Sequence, residues 1–273
     1  VKSAIPQSPD LVVSPPMSGI PTESTCQPAA NGARCVAFDT WTGRGAGEDV
    51  LVPDTPAPID SARLATMRAE YASVGIAPAG LAADWHVQLG RWLTDATDAG
   101  LPEPNAMVLA TVDPAGHPAS RTVLLKGYDA AGLVFYTNYT SAKGEQLAAN
   151  PYASVTFPWY GLHRQVQVRG PVTRVDPAES DGYFATRPRG SQLGAWSSPQ
   201  SQVIDSRDVL DAAFASYAAR WPEGTPVPRP PHWGGYRLAP DTVEFWQGRE
   251  NRVHDRLRYR RDGAAWRLER LAP

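Results

Sequence analysis

Apolar positions along residues 60–100 recur at helical spacing. "DSARLATMRAEYAS" sets a capping Asp60 ahead of Leu64, Met67 and Tyr71. "DWHVQLGRWLTDATDAG" repeats the pattern with Trp85, Val87, Leu89, Trp92 and Leu93 before Gly100. The spacing predicts two amphipathic helices. Beyond Gly100 the period shortens. "AMVLATVD" and "ASRTVLLKGYD" flank the turn "PAGHP", and "GLVFYTNY" follows "DAAG". After a short helical run, "SAKGEQLAANP", come "YASVTFPWY" and "HRQVQVRGPVTRV", joined at "GLH". β-rich runs joined by Gly, Pro and Asp turns predict an antiparallel meander, and closing it into a barrel removes its exposed edges. "DPAESDGYFATRP" and "SRDVLDAAFASYAARWP" read as helices with acidic first turns. The chain finishes in the strand patterns "WGGYRLAP", "TVEFWQG", "HDRLRYRR" and "AAWRLERLAP". The expected class is mainly β with flanking helices (α+β), an antiparallel barrel.

Residues 1–57 have another character. They are rich in Pro, Ser, Thr, Gly and Ala, with short apolar patches such as "CVAFDTW". Such a segment buries too little to offset its ordering entropy, so a disordered or weakly ordered extension is expected there, with the folded domain at 58–273. The "GRGAGED" of residues 43–49 lacks the spacing of a phosphate-cradling loop and has no helix pattern after it.

Composition narrows the function classes. A net charge of −2 and 42% hydrophobic residues over 273 positions call for neither a nucleic-acid nor a membrane partner. No run is long and apolar enough for a membrane span or an export signal, and Cys26 and Cys35 are too few for a disulfide framework. A reducing cytoplasm is the expected compartment. The histidines at 86, 117, 163, 232 and 254 have no metal-ligand spacing, and G-x-S-x-G, H-E-x-x-H and C-x-x-C are absent. No metal site is expected.

Cations and hydroxyls embedded in strand and turn sequence stand out instead. Arg121 and Lys126 bracket "TVLL", Lys143 opens a helix in "TSAKGE", and Arg187 and Arg189 flank a proline in "TRPRGSQLGAW". A cation beside a helix N-terminus is an anion receptor, because backbone N–H groups and the helix dipole add to its charge. In "EFWQGRENRVHDRLRYRR", Arg252, His254 and Arg256 alternate. On a strand they share one face, as either a solvated basic edge or an anion site containing a histidine. Arg121 and Lys126 are five apart, which strict alternation puts on opposite faces; a bulge between them or two separate sites would account for that.

The runs "RTVLLKGYD", "VFYTNYTSAKGEQL", "FPWYGLHRQVQVRG", "YFATRPRGSQLGAWSSPQS" and "WGGYRLAPDTVEFWQGRENRVHDR" together resemble the pyridoxine/pyridoxamine 5′-phosphate oxidases of the FMN-binding split-barrel family. The likeness runs from about Arg63 to Pro273 and is most specific in "RPR-x-SQ-x-GAW" and "EFWQG…R-x-HDR". It implies an antiparallel split β-barrel and a homodimer with FMN between subunits. It also implies oxidation of pyridoxamine or pyridoxine 5′-phosphate to pyridoxal 5′-phosphate: a hydride equivalent passes from C4′ to flavin N5, and O₂ becomes hydrogen peroxide. Carried across by position, FMN contacts fall on Arg121, Thr122, Val123, Leu124, Leu125, Lys126, Tyr136, Thr137, Lys143, Gln165, Gln200, Ser201, Trp246 and Arg256. The substrate phosphate falls on Lys126, Tyr183, Arg187 and Ser191. The substrate ring falls beneath Arg252, which orients it, and His254, which holds or shuttles a proton, with Arg68 and Tyr71 on a segment that closes over it. Ala142 stands where many members carry Arg, which implies one fewer phosphate contact. Two rival readings keep the barrel: a flavin or deazaflavin reductase of another substrate, and a non-catalytic carrier of FMN or pyridoxal phosphate.

Overall fold

The computed structural model describes residues 61–67, 71 and 75–273. The expectations for residues 1–57 and for Arg68 lie outside the described residues. The first predicted helix is shorter than its pattern. Helix α1 spans Ser61–Thr66, and Leu64 and Met67 stay 55% exposed. Among the described residues these apolar side chains stay exposed, and a helix of under two turns gains little from them.

Helix α2 (Trp85–Asp98) realises its pattern. Trp85, Leu89, Trp92 and Ala96 fall on one face and are buried, and the chain turns off at Gly100 with φ 67. Burying Leu89 alone contributes about 1.5–3 kcal/mol. The helix face sits on a sheet made by β1 (Ala106–Val112), β2 (Pro118–Leu124), β3 (Gly127–Asp129), β4 (Gly132–Asn138), β5 (Tyr152–Trp159) and β6 (Arg164–Arg174), completed by β7 (Trp233–Leu238), β8 (Thr242–Gln247), β9 (Asp255–Asp262) and β10 (Ala265–Leu271). Helix α3 (Ala142–Ala149) follows β4, and α4 (Pro177–Thr186), α5 (Arg189–Ser197) and α6 (Arg207–Arg220) lie between β6 and β7.

All strand pairs are antiparallel, in the order β10-β9-β8-β6-β5-β1-β2, with a branch through β7, β4 and β3. Strand β6 makes the branch. Residues 164–169 pair with β8, whereas Val172–Arg174 pair with β7. The link from β7 to β8 passes over the branch point: Ala239 N–H donates to Pro171 O at 2.9 Å and Asp241 N–H to Arg169 O at 2.8 Å. A Cβ on Gly170 would lie 1.9 Å from Ala239 O, so only glycine lets the two backbones approach this closely. The sheet therefore curls into a split barrel around one core, including Leu109, Val155, Phe157, Val166, Val168, Val243 and Phe245 with α2.

Two sequence readings change. "ASRTVLLKGYD" is two strands: Leu125 N–H donates to Asn105 O, on the β1 side, and the next amide, Lys126 N–H, donates to Val134 O on β4, both at 2.9 Å. Helix α5 was not legible, because its "RGSQLGAWS" carries two glycines and only Leu193 and Ser197 are buried from it. It packs with α4 against β4 and β7 through a second cluster of Phe184, Leu193, Val227 and Trp233. That layer explains why β4 and β7 read as nearly continuous buried runs rather than alternating ones.

Candidate active site

Strand β2 ends the sheet order, and a cavity of roughly 330 Å³ lies beside it. Arg121, Thr122, Val123, Leu124 and Lys126 all line it, with Tyr136 and Thr137 from β4, Lys143 from α3, and Tyr183, Arg187, Gln200 and Trp233. The change of partner strand after Leu125 resolves the parity of Arg121 and Lys126: with the ladder broken between them, both face one cavity. Leu125 itself turns into the core at 6% exposure.

The cavity holds four cations and no carboxylate. Arg121 donates to Leu109 O at 3.2 Å, to Gln146 Oε1 at 3.0 Å and to Thr111 Oγ1. Lys143 Nζ and Thr137 Oγ1 both donate to Gln200 Oε1, at 2.9 and 3.1 Å. Lys143 belongs to the first turn of α3, where Ser141 caps the helix by accepting from Gly144 N–H. Ala142, beside it, offers no charge. Burial lowers the pKa of Arg121, and burial followed by the charge of Arg121 lowers that of Lys143.

Arg187 is the most exacting of the four. Its guanidinium lies 4.6 Å from the Trp233 ring centroid, and its buried Nη1 has no hydrogen-bond partner. Burial depresses its pKa. A desolvated N–H without an acceptor is costly and marks a place for an anion. Tyr136 stacks on Tyr183 at 4.0 Å and on Trp233 at 5.5 Å, and a Cβ on Gly235 would come within 2.7 Å of the Tyr136 ring. Burial, then the nearby Glu179, push the Tyr136 phenol up to about 12, so it stays a neutral wall. A contiguous cavity of roughly 220 Å³ shares Arg187, Gln200 and Trp233 and adds Ser191. Arg189 turns away, donating to the Trp221 and Thr225 carbonyls. Trp233, which carries the Arg187 guanidinium, was missed in sequence; its signal was an aromatic directly before two glycines.

The remaining candidates gather elsewhere. Gln165 pairs with Trp246 across β6–β8, and Trp246 with Arg256 across β8–β9, so the three form one cross-strand row. The adjacent row, Val166, Phe245 and Leu257, is buried, which puts the first row on the sheet's outer face. Arg121 registers with Leu109, a core position, and so belongs to the inner face. Gln165 and Trp246 line a pocket of roughly 350 Å³ with Tyr71, Pro158, Tyr160, His163 and Arg164. His254 lies 4.7 Å from the Trp246 ring and 5.8 Å from Tyr71.

Arg252, His254 and Arg256 do not share a strand face. Strand β9 begins only at Asp255. Before it, Asn251 and Arg252 take φ of 56° and 64° in a tight turn, and Val253 closes that turn by donating to Glu250 O. Two successive left-handed non-glycine residues break the alternation the sequence suggested. Ser201 is also left-handed, with φ 73, and exposed. His254 Nδ1 accepts from Arg249 N–H at 3.0 Å; burial, then the Arg252 charge, hold its pKa below the usual histidine value. Arg256 is held bidentately by Glu244 at 2.7 and 3.1 Å, which raises its pKa and compensates its charge.

Residues 93–221 match the family model for pyridoxamine 5′-phosphate oxidase, and residues 233–273 match the pyridoxine 5′-phosphate oxidase C-terminal dimerisation region. A pyridoxine/pyridoxamine 5′-phosphate oxidase of Salinispora arenicola is 58% identical over 216 residues, covering 78% of this chain and 98% of that protein.

The chain belongs to the pyridoxamine 5′-phosphate oxidase family.

Another relative with the same name, from Synechocystis, is 51% identical over 215 residues, covering 79% of this chain and 100% of that protein. The crystal structure of PhzG from Burkholderia lata, in complex with tetrahydrophenazine-1-carboxylic acid, superposes with a TM-score of 0.68 at 33% identity, covering 72% of this chain and 98% of that one. An FMN-binding pyridoxamine 5′-phosphate oxidase-related protein of Nostoc punctiforme, 21% identical, shares the fold with a TM-score of 0.56, covering 72% and 98%. The split barrel is thus the oxidase family's fold. The described residues contain no group of His, Cys, Asp and Glu able to hold a metal, and no helix long and apolar enough to cross a membrane.

Proposed function

We propose that this chain is an FMN-dependent oxidase that converts pyridoxamine and pyridoxine 5′-phosphates to pyridoxal 5′-phosphate, acting as a homodimer. The observation that carries this reading is the four-cation cavity free of carboxylates, with the unsatisfied Nη1 of Arg187 buried in it. The residues present fit FMN. Arg121 and Lys143, at the capped start of α3, suit a phosphate monoester. The Gln165–Trp246–Arg256 row offers an amide, a flat ring and a guanidinium paired with Glu244 to a planar heterocycle. When bound, FMN would accept a hydride equivalent from the substrate and deliver the electrons to O₂.

The protein's own part is position and charge. Lys126, Tyr183, Arg187 and Ser191 would hold the substrate phosphate, and the contiguity of the two cavities through Arg187 and Gln200 lets both anions sit in one basin. Arg252 would orient the substrate ring. Because His254 Nδ1 accepts a backbone N–H, the neutral ring carries its proton on Nε2, the atom left to hold or pass one. The four-cation cavity around Arg121 and the pocket around Trp246 share no lining residue. A single flat ligand reaches both sets only where a second copy supplies one of them, which favours FMN between subunits and agrees with the match to a dimerisation region.

The test is spectroscopic. Purified protein is expected to show oxidised-flavin absorbance that bleaches anaerobically with pyridoxamine 5′-phosphate and recovers in air with pyridoxal 5′-phosphate and peroxide formed. Absence of flavin after reconstitution with FMN, or equal bleaching by unphosphorylated pyridoxamine, would overturn the reading.

A further inference from the structure

The turn that carries Arg252 and His254 is unfavourable by itself, with two left-handed non-glycine residues in succession. Something must close it. Arg249 is gripped at both ends: its backbone N–H donates to His254 Nδ1 at 3.0 Å, and its Nη1 donates to Asp255 Oδ2 at 3.1 Å. The turn's two legs are thereby tied across its neck. Asp255 is itself fixed from two other elements. Arg270 on β10 donates to Oδ1 at 2.5 Å, and Ile76 N–H donates to Oδ2 at 3.1 Å. Arg270 also donates to Ile76 O at 3.3 Å, closing the set. The carboxylate is only 13% exposed and serves two guanidiniums and one amide. Those contacts hold its pKa below the usual carboxylate range, chiefly through Arg270 and then Arg249, against the opposing effect of burial.

We propose that Asp255 is a positioning residue for His254. It anchors the Arg249 side chain so that the Arg249 backbone N–H faces Nδ1 and selects the tautomer with the proton on Nε2. A carboxylate on the residue next to a histidine would ordinarily be read as its direct partner. Here it acts through Arg249 and leaves Nε2 as the protonated nitrogen of a ring 4.7 Å from Trp246. Orienting a histidine by hydrogen-bonding its other nitrogen is a general way to fix ring orientation and tautomer. The kinetic consequence rests on the oxidase reading, whereas the tautomer does not.

The experiment uses the full chain with FMN, labelled with ¹⁵N-histidine, and compares the parent with Asp255→Asn and Arg249→Ala. In the parent, His254 is expected to show an unprotonated Nδ1 and a protonated Nε2 at neutral pH. Asp255→Asn and Arg249→Ala are expected to give a mixture of tautomers. The same two changes are expected to lower kcat about tenfold with less than a twofold change in flavin content. In a His254→Ala background, Asp255→Asn is expected to cost less than twofold more, because a residue acting through another is silent once that partner is gone. A mixed tautomer in the parent, an unchanged tautomer in both variants, or full additivity with His254→Ala would overturn the role. If Asp255→Asn does not fold, Arg249→Ala decides alone, since it keeps the backbone donor and removes only the anchor. A changed tautomer with no turnover in any form, the parent included, would confirm the positioning and overturn the oxidase reading instead.

Discussion

At the scale of single residues, Arg187 is where burial and charge conflict most. Its pKa is depressed by burial, its Nη1 lacks an acceptor, and the Trp233 ring covers its face. A charge-assisted contact to a buried phosphate is worth roughly 1.5–3 kcal/mol. Arg187→Ala is therefore expected to raise KM for pyridoxamine 5′-phosphate by about ten- to a hundredfold, with flavin content unchanged; steady-state kinetics and absorbance check both halves. Lys143→Ala is expected to do the reverse, releasing flavin that excess FMN restores by mass action, measurable by titration. His254 gives the pH dependence. Its folded pKa is lowered by burial and by Arg252, so the neutral ring persists to lower pH than an ordinary histidine. A limb of kcat/KM that needs the neutral form is expected to rise with its midpoint below about 6.5 and to disappear in His254→Asn. A midpoint above that value would reverse the assignment.

At the scale of elements, the sequence was most legible where one face is buried. The α2 stripe predicted its burial because its apolar face packs into the core of the sheet. The patterns of β5 and β6 held for the same reason. Legibility failed where tertiary contacts override local pattern. The break after Leu125 arises because one residue bonds toward β1 and the next toward β4, a choice of partner that no local propensity encodes. Helix α5 forms from a glycine-bearing run because Leu193 has a cluster to enter. The turn at Asn251–Arg252 looked like a strand in sequence, since alternation of charge does not register backbone sign. Gly170→Val tests the branch of β6. A side chain there collides with Ala239 O, so the substitution is expected to destabilise the fold by more than about 3 kcal/mol, read from chemical denaturation.

At the scale of the whole molecule, the candidate residues fall into two groups, the four-cation cavity and the pocket around Trp246, which share no lining residue. If each active site takes one group from each subunit, two impaired variants assayed at low substrate are expected to complement. Arg187→Ala damages the four-cation cavity and Arg252→Ala the group around His254 and Trp246. A mixed dimer then has one site with both groups intact and one with both damaged. Refolding the two variants together is expected to restore up to about half of parental turnover per heterodimer, a simple consequence of two-fold symmetry. No recovery would mean that both groups serve a site within one chain. Removing residues 1–55, whose composition carries no core-forming pattern, is expected to leave flavin content and kcat largely intact.

The sequence alone determined the elements whose burial is periodic, the absence of a metal-ligand spacing, and the cations and aromatics that carry the family resemblance, because each depends on residue type and local spacing. Only the tertiary structure decided that Arg121 and Lys126 face one cavity, that Arg187 rather than Arg189 is the unsatisfied cation, and that Arg256 is already neutralised by Glu244. The physical reason is common to all three. A side chain's chemistry is written in its identity, but its partners are set by which distant backbone the chain pairs with, and that choice is made by packing.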